Sequence, residues 1–302
     1  MEDPSGENLM NLIYSEFDII NLPNESLIIS SYGVSKTAST KLLSVLQELK
    51  KQNKTSITET LLNDTISKQK LQKKAAHLFL QSAIGLKPEP SEIYFKKALI
   101  AHDCIESEDL KTIISQELTC EHIISENIES LTEQAKGNSY FIIIICMQYD
   151  YIKLKKLYFS LADAAPCSAI SLAYLNGNIF HIDQPYVPSI GNPCHFCMID
   201  RQLNYEKCIN SQNSWTTLLR FCIERNVTLP SQKLSALQRS MAIGAIVKKI
   251  KLHTEHGSEF RYQDNVFTST TVDLIKGSIT EESSPHWHSC NCLRSKNEKY
   301  TA

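Results

Sequence analysis

Hydrophobic and polar positions in the first part of the chain change from β-type to helical spacing. Phe17–Leu22 and Ser26–Tyr32 are β-rich runs separated by Pro23-Asn24, which predicts a hairpin that stops at Gly33. Apolar residues then recur at three- and four-residue steps, which predicts three short helices. These helices lie near 38–52, near 58–66 and near 68–81, and Ser67 is expected to cap the third. The residues expected to face inward are Leu42, Leu43, Leu46, Leu49, Leu61, Leu62, Ile66, Leu71, Ala75, Leu78 and Phe79. A hairpin with three helices is the composition of a winged helix-turn-helix module.

The best linker candidate is Gly85–Pro90, where two prolines and a glycine interrupt the periodicity. We therefore expect a first domain over residues 1–86 and a second over 91–302.

The second domain alternates β-rich and helical segments. Strands are predicted over 94–102, 120–124 and 140–148, and helices over 107–117, 127–136 and 150–165. Phe141–Met147 is a continuous apolar run, which is typical of a strand buried on both faces of a parallel sheet. Alternating strands and helices indicate an α/β sheet domain.

The rest of this domain contains two turn signals. Asn176-Gly177-Asn178 lies between the β-rich runs 169–175 and 179–182, which predicts a hairpin. Helices are expected over 215–225 and 231–253, and 259–283 is β-rich again, with a turn at Lys276-Gly277.

Composition and charge narrow the function classes. The chain has 302 residues, 42% of them hydrophobic, and its 31 basic and 33 acidic residues give a formal charge of −2. This balance argues against a protein that binds nucleic acid over its whole surface. The acidic start Met1–Gly6 does not resemble a secretory signal, and the longest apolar run is far shorter than the roughly 20 residues of a membrane span. We therefore expect a soluble, cytoplasmic protein with no membrane partner.

Four of the ten cysteines form two tight pairs, Cys194 with Cys197 and Cys290 with Cys292. Zinc prefers four thiolates in a tetrahedron, and two cysteines that are two or three residues apart can both reach one ion from a turn. The sequence therefore predicts one structural zinc site that closes the C-terminal domain and leaves no position for a catalytic water. The other six are expected to be buried, unpaired thiols: Cys104, Cys120, Cys146, Cys167, Cys208 and Cys222.

Other interpretations of the cysteines stay open. The C-x-x-C pair is also compatible with a redox pair, and the four thiols are compatible with unrelated buried positions. His195, His286 and His288 are alternative ligands, although surface or supporting positions beside the site are the preferred interpretation.

Motifs of nucleotide-binding and hydrolytic enzymes are absent from the sequence. There is no phosphate-binding loop, nucleophile elbow or metalloprotease helix, and the chain has only nine glycines. The α/β domain is therefore expected to lack a nucleotide site, and no catalytic or cofactor-binding residue is assigned.

Both cysteine motifs resemble one family together with their flanking residues. Gly191–Arg201 resembles the segment G-x-P-C-H-F-C-x-I-[DE]-R of McbB-type proteins, the zinc-binding subunits of microcin B synthetases, and His286–Leu293 resembles their H-W-x-x-C-x-C-L. Trp215 and Thr228–Pro230 fit the same pattern between the pairs, while the N-terminal third matches only in outline.

The resemblance implies a winged-helix domain that binds a leader peptide, fused to a ThiF-like, Rossmann-like α/β domain that has lost its ATP site. It implies a scaffold subunit with structural zinc as its own cofactor, working in the cytoplasm on a ribosomally made precursor peptide. A YcaO-type cyclodehydratase would bring ATP and close Cys, Ser or Thr side chains into azolines. A flavin-dependent dehydrogenase with FMN would oxidise these to thiazoles and oxazoles, and self-association is expected.

Leader binding would follow β-augmentation, in which an extended peptide pairs with an exposed strand edge. The candidate edge belongs to the N-terminal sheet around Leu27–Tyr32, and the candidate groove helix is 68–81. The lysines of this region are expected to form a solvated face: Lys68, Lys70, Lys73 and Lys74. Arg201 and Trp287 are expected to pack around the zinc turn.

Two other functions remain as alternatives to the scaffold. A self-sufficient adenylating enzyme of the ThiF class would need the nucleotide site that the sequence lacks. A transcription regulator would bind DNA through the winged helix. The near-neutral formal charge of the chain argues against this function.

Overall fold

The computed structural model describes residues 11–52, 54–89, 95–103, 107–208, 214–255 and 268–293. The chain divides into two compact units, Met1–Ser91 and Glu92–Ala302. In the described residues, no helix is long and apolar enough to cross a bilayer.

The N-terminal unit packs three helices against two small antiparallel sheets. The helices are α1 Thr40–Lys51, α2 Glu59–Lys68 and α3 Lys73–Ile84. One sheet has the strand order β5-β1-β6 and the other β2-β3-β4. The strands are β1 Asn11–Ile13, β2 Phe17–Asn21, β3 Ser26–Ser30, β4 Gly33–Thr37, β5 Ser56–Thr58 and β6 Lys87–Pro88. Ile28, Leu46, Leu62 and Leu80 are fully buried at the centre of this unit.

The hairpin and the three helices are confirmed, but several details of the prediction are wrong. Gly33 begins a third strand instead of ending the sheet, because the two-residue turn at Ser31-Tyr32 returns the chain along β3. Gly85 ends α3 in the left-handed conformation (φ 66°), and Lys87–Pro88 pairs with β1, so the first part of the expected linker belongs to the fold.

The buried face of α3 also differs from the prediction. Leu78 is 58% exposed and Ala75 is exposed, whereas Ala76, Leu80 and Ala83 are buried. The helix starts at Lys73 and not after Ser67, because α2 continues to Lys68 and Lys70 then takes a positive φ of 51°. The buried stripe of α3 is therefore offset by about one residue from the predicted one.

The C-terminal unit is built on a seven-stranded mixed sheet in the order β13-β12-β11-β10-β9-β7-β8. Strands β8, β7, β9 and β10 are parallel, and β11, β12 and β13 continue the sheet antiparallel. The strands are β7 Lys97–His102, β8 Glu121–Ser125, β9 Phe141–Cys146, β10 Ala169–Asn176, β11 Ile179–Ile182, β12 Ser269–Asp273 and β13 Ile279–Glu282.

Helices cover both faces of this sheet. They are α4 Ser107–Glu117, α5 Leu131–Ala135, α6 Tyr151–Ala164, α7 His195–Cys208, α8 Ser214–Arg225 and α9 Ala236–Thr254. One hydrophobic core lies between the sheet and α5–α8, and a second lies between the sheet and α4 with α9. All six residues of β9 are buried, which confirms the strand predicted from the apolar run. Helix α7 was missed, and residues 259–267 of the predicted β-rich stretch lie outside the described residues.

Candidate metal centre

Two loops of the C-terminal unit bring four cysteines together. Cys194 lies at the residue before α7, and Cys197 lies in its first turn. Cys290 and Cys292 lie in the segment that follows β13. Turn hydrogen bonds shape both segments, from the Cys197 N–H to the Cys194 carbonyl at 3.0 Å and from the Cys290 N–H to the Trp287 carbonyl at 2.9 Å. Pairs from distant parts of the chain therefore converge on one point.

The four sulfur atoms all lie within 4.8 Å of one another, and every one of the residues is buried. Cys194 Sγ is 3.4 Å from Cys290 Sγ and 3.9 Å from Cys197 Sγ, and Cys197 Sγ is 3.4 Å from Cys292 Sγ. A tetrahedron with Zn–S bonds of about 2.3 Å has edges of about 3.8 Å. The arrangement can therefore hold one metal ion in a closed, four-thiolate shell.

Protonation opposes metal binding at such a site. Burial raises the pKa of the Cys194 thiol, since the thiolate loses water at this position. A bound cation reverses this preference, because a metal-bound cysteine is deprotonated. Metal binding would therefore release protons and weaken in acid.

His195 is adjacent to two of the cysteines but is not placed to bind a metal. Its ring is 1% exposed, Nδ1 is hydrogen-bonded to Asp183, and Nε2 lies 2.6 Å from the Tyr149 hydroxyl. These partners imply that Nδ1 donates to the carboxylate and that Nε2 accepts from the phenol. Both ring nitrogens are engaged in hydrogen bonds, so His195 is a buried residue that links α7 to the segments that follow β9 and β11.

The other candidate ligands are on the surface, as expected. His286 and His288 are exposed, although His286 Nδ1 lies 3.8 Å from Cys197 Sγ. Trp287 is half-buried and packs against the core that contains the cysteines, which confirms its expected position.

Lys155 is a cation that lies beside two aromatic rings in the core that contains the cysteines. It was not singled out from the sequence. Its Nζ lies 2.9 Å from Asp200 Oδ2 and within 5.3 Å of the ring centroids of Tyr151 and Phe196. The pKa of Tyr151 is raised, first by burial, then by its hydrogen bond to Asp200, and further by Cys290 and Cys194. Among the described residues, Arg201 makes no hydrogen bond to a thiol.

The remaining cysteines fit the expectation only in part. Cys146 and Cys222 are buried, but Cys120 is half-buried and Cys167 is exposed, because it lies in the turn between α6 and β10. Cys104 and the side chain of Cys208 lie outside the described residues.

A carboxylate binds the backbone amides at the sheet edge where open α/β folds bind ligands. The order of the parallel strands reverses between β7 and β9, which is the usual site of a nucleotide in such sheets. There the two Asp103 oxygens accept hydrogen bonds from the N–H groups of Met147 at 2.6 Å and Gln148 at 3.0 Å. These amides are therefore not available to a phosphate.

The predicted peptide edge needs a correction. Leu27–Tyr32 contains β3, which pairs with β2 on one side and β4 on the other, so it offers no free edge. Among the described strands, β2 and β4 are the outer strands of this sheet, each with β3 as its neighbour, and α3 packs beside β4. Val34 on β4 is 67% exposed, and Tyr32 beside it is 57% exposed.

Apolar and basic side chains lie near this edge. Helix α3 packs against β3 and β4, and it exposes Leu78. The four lysines Lys68, Lys70, Lys73 and Lys74 are exposed, as expected for a solvated face.

The chain is similar to known proteins over nearly its whole length. The sequence model of the family described as "Microcin B17-processing protein McbB" matches residues 12–294. The chain is 23% identical to the Microcin B17-processing protein McbB of Escherichia coli over 295 residues, which are 95% of this chain and 97% of that protein.

Solved structures share the fold. The E. coli microcin synthetase McbBCD complex with pro-MccB17 bound contains a chain that matches with a TM-score of 0.64 at 23% identity, covering 94% of this chain and 99% of that one. A second structure, of the E. coli microcin synthetase McbBCD complex, contains a chain that matches with a TM-score of 0.53 at 24% identity, covering 93% of this chain and 100% of that one. Because the family model spans nearly the whole sequence, this chain belongs to the McbB family of microcin B17-processing proteins.

Proposed function

We propose that this chain is the leader-binding, zinc-stabilised scaffold subunit of a synthetase that makes thiazoles and oxazoles in a ribosomal precursor peptide. Family membership supports the proposal, together with the solved relative that has pro-MccB17 bound. The ATP-dependent cyclodehydratase and the FMN-dependent dehydrogenase would be separate subunits, and the assembly would work in the cytoplasm.

The free edge of β4 is the observation that carries the leader-binding part. In this proposal the N-terminal unit is a winged-helix module whose β4 accepts the leader as an additional strand. The exposed side chains of Tyr32, Val34 and Leu78 would then be covered by the peptide. Main-chain hydrogen bonds would give affinity, and alternate leader side chains would give specificity.

The C-terminal unit would be a ThiF-like domain that no longer binds nucleotide. The lack of a glycine-rich loop and the Asp103 carboxylate on the backbone amides support this assignment. A self-sufficient adenylating enzyme gains no support from these features. The ATP for peptide activation would therefore come from the partner subunit.

Zinc is the ion that best fits the four cysteines. Cys194, Cys197, Cys290 and Cys292 supply four soft donors at tetrahedral spacing, and their burial leaves no position for a substrate. The ion would join the segment that follows β13 to α7 and would take no part in the reaction.

Reconstitution tests the division of labour. The purified full chain should bind the leader of the precursor encoded beside its gene, and it should cyclise nothing when given the whole precursor and ATP. Adding the cyclodehydratase should give the loss of one water molecule per ring, measured by mass spectrometry. Cyclisation by the chain alone would contradict the scaffold assignment, and salt-dependent binding of duplex DNA with no leader binding would favour the regulator.

A further inference from the structure

A buried glutamine connects the two segments that carry the cysteines. Gln184 follows β11 and is 2% exposed. Its Nε2 donates to the Pro193 carbonyl at 2.8 Å and to the Ser284 carbonyl at 3.3 Å, and its Oε1 accepts from the Ser284 N–H at 2.9 Å. Pro193 is bonded directly to Cys194, and Ser284 lies in the segment that leads to Cys290. One side-chain amide therefore joins both halves of the site without a metal.

The segment that carries Cys194 is also fixed by other protein contacts on either side of the Gln184 side chain. Asn192 donates to the Pro185 carbonyl at 2.7 Å and accepts from the Val187 N–H at 2.8 Å, which closes the loop before the cysteines. Asp183, adjacent to Gln184, holds the ring of His195. The loop is therefore anchored before and after Cys194.

Burial makes these contacts difficult to give up. An amide that loses its partners inside a protein pays the full cost of its lost hydration, so the bonded arrangement is strongly preferred. None of the three hydrogen bonds made by Gln184 involves a sulfur atom. None of them therefore requires the thiols to bind a metal.

We propose that Gln184 is a positioning residue that assembles the four-cysteine site before the metal binds. The inference rests on the proposed zinc site and adds that the site is preorganised. Zinc would then enter a formed cage and not gather two separate segments, which would raise its affinity and slow its release. Removing such a supporting contact typically lowers metal affinity by about 10–100-fold.

Hydrogen exchange on the wild-type chain tests preorganisation directly. Zinc is removed from the full-length, reduced protein by chelation, and amide exchange is compared with and without the ion. The Ser284 amide should stay protected in the metal-free protein, because it donates to Gln184, while the Cys290 amide should exchange faster. Exchange of the Ser284 amide at the rate of an unprotected amide in the metal-free protein would overturn the proposal.

A variant tests the effect on the metal. Gln184→Met keeps the volume of the side chain and removes its hydrogen bonds, whereas Ser284→Ala leaves the backbone bonds to Gln184 in place. Zinc dissociation into a chromogenic chelator should be about 10–100-fold faster in Gln184→Met and unchanged in Ser284→Ala. Cobalt substituted for zinc should show an altered d–d spectrum only in the first variant, at a temperature where both variants keep the wild-type circular dichroism.

The outcomes separate the two proposals. If wild-type protein binds no zinc, the proposed metal function fails, whatever Ser284 does. If wild-type binds zinc and Gln184→Met releases it at the wild-type rate with the wild-type cobalt spectrum, only the positioning role is overturned. If Gln184→Met does not fold, the exchange experiment on wild-type protein decides.

Discussion

Replacing Lys36 by proline should remove one hydrogen-bond donor from the free edge of β4 and leave its pairing with β3 intact. The hairpin is closed by the pair Ser30 and Gly33 across a two-residue turn, and the closing pair of such a turn exchanges both hydrogen bonds. Hydrogen-bonded pairs alternate along an antiparallel ladder, so the pair Leu27 and Lys36 is a non-hydrogen-bonded one. The Lys36 N–H therefore points away from β3, toward the position proposed for the leader.

The expected loss of affinity follows from one unpaired carbonyl on the bound leader. An unsatisfied buried acceptor costs about 1–3 kcal/mol, and the solvent at a strand edge favours the lower half of this range. About 1.4 kcal/mol corresponds to a tenfold rise in Kd. The Lys36 side chain itself is 73% exposed, and its ion pair with Glu25 at 3.8 Å is worth less than about 1 kcal/mol.

Fluorescence anisotropy with a labelled leader peptide measures this change on the full-length chain. Lys36→Ala is the matched control, because it removes the same charge and keeps the N–H. We expect about a tenfold weaker Kd for Lys36→Pro than for Lys36→Ala, with both variants folded by circular dichroism. Equal Kd values for the two variants would refute pairing of the leader with β4.

Three further predictions concern the C-terminal unit. Tyr149→Phe leaves the buried Nε2 of His195 without its hydrogen-bond partner. This loss should lower the free energy of unfolding by about 2 kcal/mol and Tm by about 4–8 °C. The control Tyr205→Phe changes an exposed side chain and should leave Tm unchanged. Burial lowers the pKa of His253 from 6.5 to about 3, so the unfolded chain binds the proton more readily and stability is lost as pH falls from about 6.5 toward 3. His253→Phe, which can keep the stacking on Phe141, should remove about 2 kcal/mol of the stability difference between pH 7 and pH 5 in urea unfolding; an unchanged difference would contradict this. Millimolar ATP should not change the Tm of the lone chain, and a rise of several degrees would revive the adenylating enzyme.

Regular hydrophobic patterns predicted the C-terminal sheet well. Helix α4 has the predicted bounds, and β9 occupies the apolar run, because a strand buried on both faces must be apolar at every position. The Asn-Gly turn between β10 and β11 was predictable for a local reason, since Gly177 takes a φ of 58° that side chains disfavour.

Segments stabilised by distant partners were not predictable in this way. Strands β1, β5 and β6 have two or three residues each and exist because they pair with one another across the chain. Helix α7 begins at the first cysteine pair, where a turn was the simpler interpretation, and five of its described side chains pack into or against the core. Strands this short carry no periodic pattern, and the stripe in α7 consists of Phe196, Ile199 and Leu203 only.

In the candidate site, too, regular spacing was predictable and contacts with distant residues were not. Cysteine spacing predicted which four thiols converge, because close pairs leave few ways to surround one ion. Asp183, Gln184 and Lys155 support the site through side-chain contacts from other elements, and an isolated polar residue gives no sequence signal of such a role.

The metal content of the purified, reduced chain is the most direct test of a zinc-stabilised scaffold. Elemental analysis after exhaustive dialysis should give one zinc per chain for wild-type protein and none for the double variant Cys194→Ser with Cys290→Ser. Wild-type protein that folds normally and contains no metal would contradict the account.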